Sequence, residues 1–348
     1  MAEQRPNVAK RILAIRGMGQ VITVFGGIVV LCAIFGFMNP NFLSDRNIHN
    51  LLRQIAPFLI VGIGQSYVLI TGNIDLSIGS VLGMSCMISA TLMTRGMNPW
   101  LAALVTMVPA VGTGVVNGLL VARVKLPPFI ATLGTMTIAR GIAQLVDGNR
   151  NTDAIGEAAS GFRDFFYYGR ALWLFNTVWI ALALWLVFNF LLSSTRTGRH
   201  IYAVGSNREA AKLSGVNVTK TVVKAYAVSA FCACVAGLIQ CAQGGLGTMD
   251  AGTTFELYAV AASVIGGVST LGGQGILLGT IMGACVWGIM QNGLSLANVF
   301  VAYRNISVGI IVIISVWADI IVRDGRSKRL RTQAEQAAAN LRETSALK

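Results

Sequence analysis

The sequence predicts an all-α polytopic membrane protein with about ten transmembrane helices. Of its 348 residues 54% are apolar and only 12% are charged, whereas an average soluble domain is about a quarter charged. Mean hydropathy is +0.66. Runs of 18 or more mostly apolar residues alternate with short basic stretches, the pattern of helices that cross a bilayer. At about 30 residues per span with its loop, this length allows roughly ten spans.

The expected spans are 20–38, 51–71, 78–94, 100–122, 129–146, 172–192, 225–243, 253–268, 276–292 and 299–322. They divide the chain into a cytoplasmic segment 1–19, a transmembrane domain 20–322 and a cytoplasmic tail 323–348. The first span follows Lys10, Arg11 and Arg16 as a signal peptide would, but no small-residue cleavage site closes it, so it reads as an uncleaved helix.

Charge sets the direction. Net charge is +13, and 19 of the 27 Lys and Arg fall in four segments: four in 1–19, two in 123–128, six in 193–224 and seven in 322–348. That is the positive-inside pattern rather than a nucleic-acid surface. The loop 147–171 mixes Asp147, Asp153, Glu157 and Asp164 with three arginines and belongs outside. Ten spans satisfy every segment, with both termini in the cytoplasm. The six cysteines all lie in apolar runs and only His49 and His200 are present, so the sequence offers no zinc or disulfide framework.

Three segments interrupt the pattern. In Ile70–Ser80, two glycines with Asn73 and Asp75 break an otherwise apolar run from 55 to 94. A carboxylate there is costly unless solvated or paired. One reading is a cytoplasmic turn, with Asp75 or Ser77 capping the next helix. The other is a broken helix lining a water-filled pathway, with Asn73, Asp75 and Ser77 as its residues. The sequence by itself favours the turn.

The second interruption, Gly266–Gly275, is glycine-rich, but no Gly-Lys-Ser/Thr occurs anywhere in the chain. It is therefore not a phosphate loop and reads as a tight turn. Gly275, Gly279 and Gly283, like Gly79 and Gly83, have the small-xxx-small spacing of helix packing. The third is the basic loop 193–224. Ser206 and Glu209 have capping-box spacing and Gly215 stands as a stop, which predicts a two-turn helix over 207–214. So short a helix must rest on something, either its own spans or a cytoplasmic partner. Further charges in the spans include Arg140 and Arg304, expected to snorkel from outer ends, and Asp319.

Four stretches, Ile70–Gly83, Pro127–Arg140, Thr197–Gly215 and Ala261–Gly279, together resemble the membrane permease subunits of ribose-type sugar ABC importers, in the expected order. The family favours a second glycine where this chain has Asn73. The resemblance implies a multi-pass subunit of the bacterial inner membrane and no enzyme in its own right. Its partners would be a second permease copy, a cytoplasmic ATPase subunit that holds ATP and Mg, a periplasmic sugar-binding protein and membrane lipid. No cofactor is implied in this chain. Ser206, Asn207, Arg208, Glu209, Ala210, Ala211, Lys212 and Gly215 match the family's coupling helix to the ATPase. The solute implied is a monosaccharide or related polyol.

The rival reading is an ion-coupled secondary transporter of a small polar solute. It calls for buried acid–base relays, for which only Asp75 is a candidate. A channel or a membrane enzyme has less support: the Asn-Pro dipeptides at 39 and 98 lack a following Ala, and no His/Cys/acid cluster exists.

The topology has a direct check. Cysteines introduced within 150–165 are expected to react with an impermeant thiol reagent on intact cells, and Ser206→Cys only after permeabilisation. Reaction of Ser206→Cys in intact cells would overturn the ten-span arrangement.

Overall fold

The computed structural model describes residues 18–304 and, beyond them, 306, 307, 309, 310, 313, 314 and 317. Residues 1–17, the tail 323–348 and Asp319 lie outside the described residues, as does much of the expected span 299–322, which opens with helical residues 301–304.

Every expected span up to residue 292 overlaps a helix, and all but one of them over nearly its whole length. The long ones are α1 (Met18–Met38), α2 (Asp45–Ile70), α3 (Ile78–Thr94), α4 (Pro99–Ala122) and α5 (Pro128–Leu145). A short turn α6 (Ser160–Arg163) and helix α7 (Asn176–Ser194) follow. The basic loop forms α8 (Arg196–Ser206) and α9 (Arg208–Leu213). The last three are α10 (Val218–Gly244), α11 (Phe255–Ile265) and α12 (Leu277–Leu296). Among the described residues six are long and apolar enough to cross a membrane: α1, α2, α4, α7, α10 and α12.

Helix starts are set by caps rather than by the apolar runs, so α2 and α10 begin six and seven residues earlier than hydropathy suggests. Ser44 accepts from the Asn47 N–H at 3.3 Å, and Asn217 from the Lys220 N–H at 2.9 Å. Each satisfies one otherwise free donor of a first turn. Both Asn-Pro dipeptides are helix starts as well: Asn39 and Asn98 accept from the N–H groups of Asn41 and Trp100 at 2.9 and 3.0 Å.

The core is the α2–α10 pair, with α3 and α4 packed on α10 and with α11 and α12 packed on α2. Small residues permit this. An added Cβ on Gly64 of α2 would stand 2.8 Å from the Ser229 Cα of α10. Gly279 and Gly283 of α12 lie on the carbonyls of Gly266 and Ala262, so that stripe is a packing face as expected.

One expected span is corrected. The segment 253–268 is not a full helix: α11 has 11 residues, about 16 Å at 1.5 Å per residue, half the thickness of a hydrocarbon core. The return from α10 is completed by irregular chain over 245–254, where Gly252 and Thr254 have φ of 73° and 67°. A β-branched residue in that region is unusual. Hydropathy misses the change because the irregular part is itself uncharged save for Asp250.

The mixed loop 147–171 and the residues after it dock on the same end. Thr152 and Ile155 donate their N–H groups to the carbonyls of Gly247 and Gly245. A two-stranded hairpin, β1 (Arg170–Ala171) and β2 (Leu174–Phe175), follows. The Arg53 guanidinium of α2 lies between the rings of Tyr167 and Phe175, at 4.4 and 4.1 Å.

Candidate functional site

The break after α2 is a built structure. Gly72, at φ 74°, donates to the Leu69 carbonyl at 2.8 Å, and Asn73 donates to that of Val68 at 3.2 Å. This is a Schellman ending, which needs a left-handed residue at the glycine. From Asn73 the chain turns back into the bundle. The Asp75 carboxylate accepts from the N–H and hydroxyl of Ser77, at 2.9 and 2.6 Å, and from the Ser229 hydroxyl at 2.7 Å. Ser229 lies 11 residues along α10 from Val218, about 16 Å from that end of the helix. Asp75 is 1% exposed.

The contacts continue sideways. Ser77 Oγ accepts from the Asn117 amide of α4 at 2.9 Å, and Asn117 Oδ1 accepts from Thr135 of α5 at 2.7 Å. The Tyr226 hydroxyl donates to the Ile74 carbonyl at 2.9 Å. One hydrogen-bonded chain therefore runs Thr135–Asn117–Ser77–Asp75–Ser229 across α5, α4, the break and α10. Every donor to Asp75 in it is neutral. The sequence singled out Asp75 and Ser77 but not Asn117, Thr135 or Ser229. The only signal each carries is a lone polar side chain inside an apolar span.

Asn73 faces the other way. Its amide donates to Thr71 Oγ1 at 2.7 Å, and its oxygen accepts from the Arg208 guanidinium of α9. Arg208 thus ties the cytoplasmic helix expected from the sequence to the break.

That helix is present with one correction. Ser206 does not cap it and forms no capping box with Glu209, because Ser206 is the last residue of α8. The chain is extended at Asn207 (φ −160°, ψ 109°), which therefore takes the cap position and accepts from the Ala210 N–H at 3.0 Å. The third helical residue is then Ala210, and Glu209 has no part in capping. Gly215 does stop the helix: at φ 81° it donates to Lys212, while Val216 donates to Ala211, both at 3.0 Å. That is a second Schellman ending. Ala211 is buried against Val68, Val121, Val204, Val222 and Tyr226. On the outward side Arg208, Glu209, Ala210 and Lys212 are exposed and Leu213 is 89% exposed.

The glycine-rich turn closes the site. Gly273 donates to the Ile70 carbonyl at 2.8 Å, and Tyr202 of α8 donates to the Gly275 carbonyl at 2.7 Å. Gly205 of α8 fits against the same Ile70 oxygen, where a Cβ would stand at 1.8 Å. The two interruptions of the apolar pattern and the helix pair α8–α9 thus meet backbone to backbone. Gln65, fully buried in α2, has no partner for either amide atom among the described residues.

Removing the acceptor on Asn73 tests the tie to α9. Asn73→Ala is expected to cost about 1 kcal/mol and to speed tryptic cleavage after Arg208 in the detergent-solubilised chain. Cleavage at the wild-type rate would mean that the bond holds nothing in place.

Residues 47–316 match the family model described as branched-chain amino acid transport system / permease component. The ribose import permease protein RbsC of Haemophilus influenzae is 36% identical over 296 residues, covering 85% of this chain and 91% of the relative. RbsC of Bacillus subtilis is 36% identical over 307 residues, covering 87% and 94%. The D-allose transport system permease protein AlsC of Escherichia coli is 34% identical over 300 residues, covering 85% and 90%. No solved structure matches the chain. The four stretches that suggested a resemblance thus sit in a match over most of the molecule: the chain is a multi-pass transport permease and belongs to the ribose-type permeases of the ABC importers.

Proposed function

We propose that this chain forms the membrane pathway of an ATP-driven, binding-protein-dependent importer that carries a monosaccharide or related polyol across the bacterial inner membrane. Its termini are cytoplasmic. It works as two copies, with a periplasmic sugar-binding protein on one side and ATPase subunits on the other, which hold ATP and Mg. The family description names branched-chain amino acids, but relatives matched over 90% or more of their length are named for ribose, allose and galactose. That favours a sugar.

The observation that carries the mechanism is the joint between α9 and the two interruptions. A helix of six residues has little stability of its own, so its position is dictated by what it touches. On one side it touches the spans through Ala211 and the break through Arg208 and Asn73. Its other side, with Glu209, Lys212 and Leu213, has the mixed charged and apolar character of a docking surface. A displacement of α9 by the ATPase reaches Asn73 directly and reaches the 266–275 turn through Gly205. Asp75 and Ser77 lie next along the same segment, and the hydrogen-bonded chain carries the movement to α4, α5 and α10. ATP closure can shift the pathway only if it favours one of its two arrangements, and the joint supplies the differential contacts.

The experiment is reconstitution with the ATPase and binding protein. Leu213→Asp and Glu209→Lys are expected to release the ATPase subunit and abolish uptake with the permease still inserted. Co-purification at wild-type yield with normal uptake would remove α9 from the coupling role. Asp75→Asn is expected to lower uptake while the ATPase subunit stays bound. Unchanged uptake would leave Asp75 with its turn alone.

A further inference from the structure

A second polar site lies beside the break, and it includes Arg140, which the sequence led one to expect at an outer end. It is an open cavity of about 400 Å³ lined by Ser80 of α3, by Thr137, Arg140 and Gln144 of α5, and by Thr254 and Glu256 at the start of α11. Its volume is within the roughly 300–1,000 Å³ of small-molecule sites.

Arg140 does not extend outward. Its Nη1 donates to the carbonyls of Met249 and Ala251, at 2.7 and 2.8 Å, which fixes the guanidinium against the irregular 245–254 segment. Its other nitrogens make no hydrogen bond among the described residues. Glu256 lines the same cavity, yet no ion pair joins the two. Gly79 and Gly83, one turn apart on α3, make room for both charges. A Cβ on Gly79 would lie 2.2 Å from Glu256 Oε2, and one on Gly83 would lie 2.8 Å from Arg140 Nη1. Ser80, between them, is 3% exposed and lines the cavity.

The mouth of the cavity is also polar. Thr137 and Gln144 are exposed, and Gly134 and Gly141 on the same face of α5 meet nothing within 4 Å. An exposed amide such as that of Gln144 is unfavourable against lipid and belongs against water or another protein surface.

We propose that this cavity is a sugar subsite of the translocation pathway. This rests on the importer reading above. A carboxylate accepts from two neighbouring sugar hydroxyls, the free guanidinium nitrogens donate to hydroxyl or ring oxygens, and Ser80, Thr137 and Gln144 each both donate and accept. The wide mouth and the few fixed groups suit a ligand that must bind and then leave.

The test uses the complete importer in proteoliposomes and begins with uptake of labelled D-ribose, D-allose and D-galactose by the wild type. If none moves, the sugar reading falls and the subsite with it. With the sugar that moves, Glu256→Gln is expected to raise the half-saturating concentration about tenfold or more, the loss of a charge-assisted hydrogen bond, with the ATPase subunit still bound. In parallel, maleimide alkylation of Gly141→Cys, on the cavity lining where an added Cβ meets nothing within 4 Å, is expected to slow several-fold in the presence of that sugar. Alkylation unaffected by the sugar that the wild type carries would overturn the subsite while leaving the importer reading intact, whatever Glu256→Gln does. Slowing by L-leucine and not by sugars would overturn the sugar assignment in favour of an amino acid.

Discussion

A backbone N–H or C=O group inside hydrocarbon has no water to turn to. This chain leaves helical geometry at 71–77, at 245–254 and at 266–275, so every freed group must be answered from within. The polar side chains of the spans give the answers. Tyr226 donates to Ile74, Tyr202 of α8 to Gly275, and Arg140 to Met249 and Ala251. Asp75 receives the Ser77 N–H, and Ile70 receives that of Gly273. Residues that look like isolated polar intrusions in a hydropathy profile are caps for backbone broken elsewhere in the chain.

This accounts for what the sequence discloses. Spans are local, and their apolar runs and caps mark them: α3 falls on 78–94 as expected. The left-handed glycine stops Gly72 and Gly215 stand where the pattern ends. What stays hidden is pairing at long range. Arg140 looks like an outer-end arginine because its acceptors are more than 100 positions away. Ser206 and Glu209 satisfy a capping pattern, yet α8 continues through Ser206 and moves the cap by one residue to Asn207. The half-length of α11 is equally hidden, since apolar irregular chain and apolar helix have the same composition. Of the candidate pathway residues, the sequence singled out the three in the break and none of their partners on α4, α5 and α10.

The site also has an uneven stiffness. Where Ile70, Gly205 and Gly273 meet, backbone touches backbone without intervening side chains. Close-packed contacts of this kind do not slide by small amounts. The α8–α9 pair, the end of α2 and the 266–275 turn therefore move together, as one body, when they move. The hydrogen-bonded chain through Asp75 has softer links, and its hydroxyl members can exchange partners as they rotate. Rigid transmission at the joint and exchangeable contacts beside it are the two properties that alternating arrangements of packed helices require.

The Asn73–Arg208 bond has an evolutionary consequence. The two residues lie 135 positions apart, and each supplies half of a contact that the other cannot replace. A chain with glycine in place of Asn73 has no acceptor to offer, and its Arg208 is left to water or to a partner protein. A change at either position alone forfeits the contact. Swapping the α8–α9 segment between related permeases carries Arg208 into a new background, and the graft keeps this contact only when Asn73 is present there.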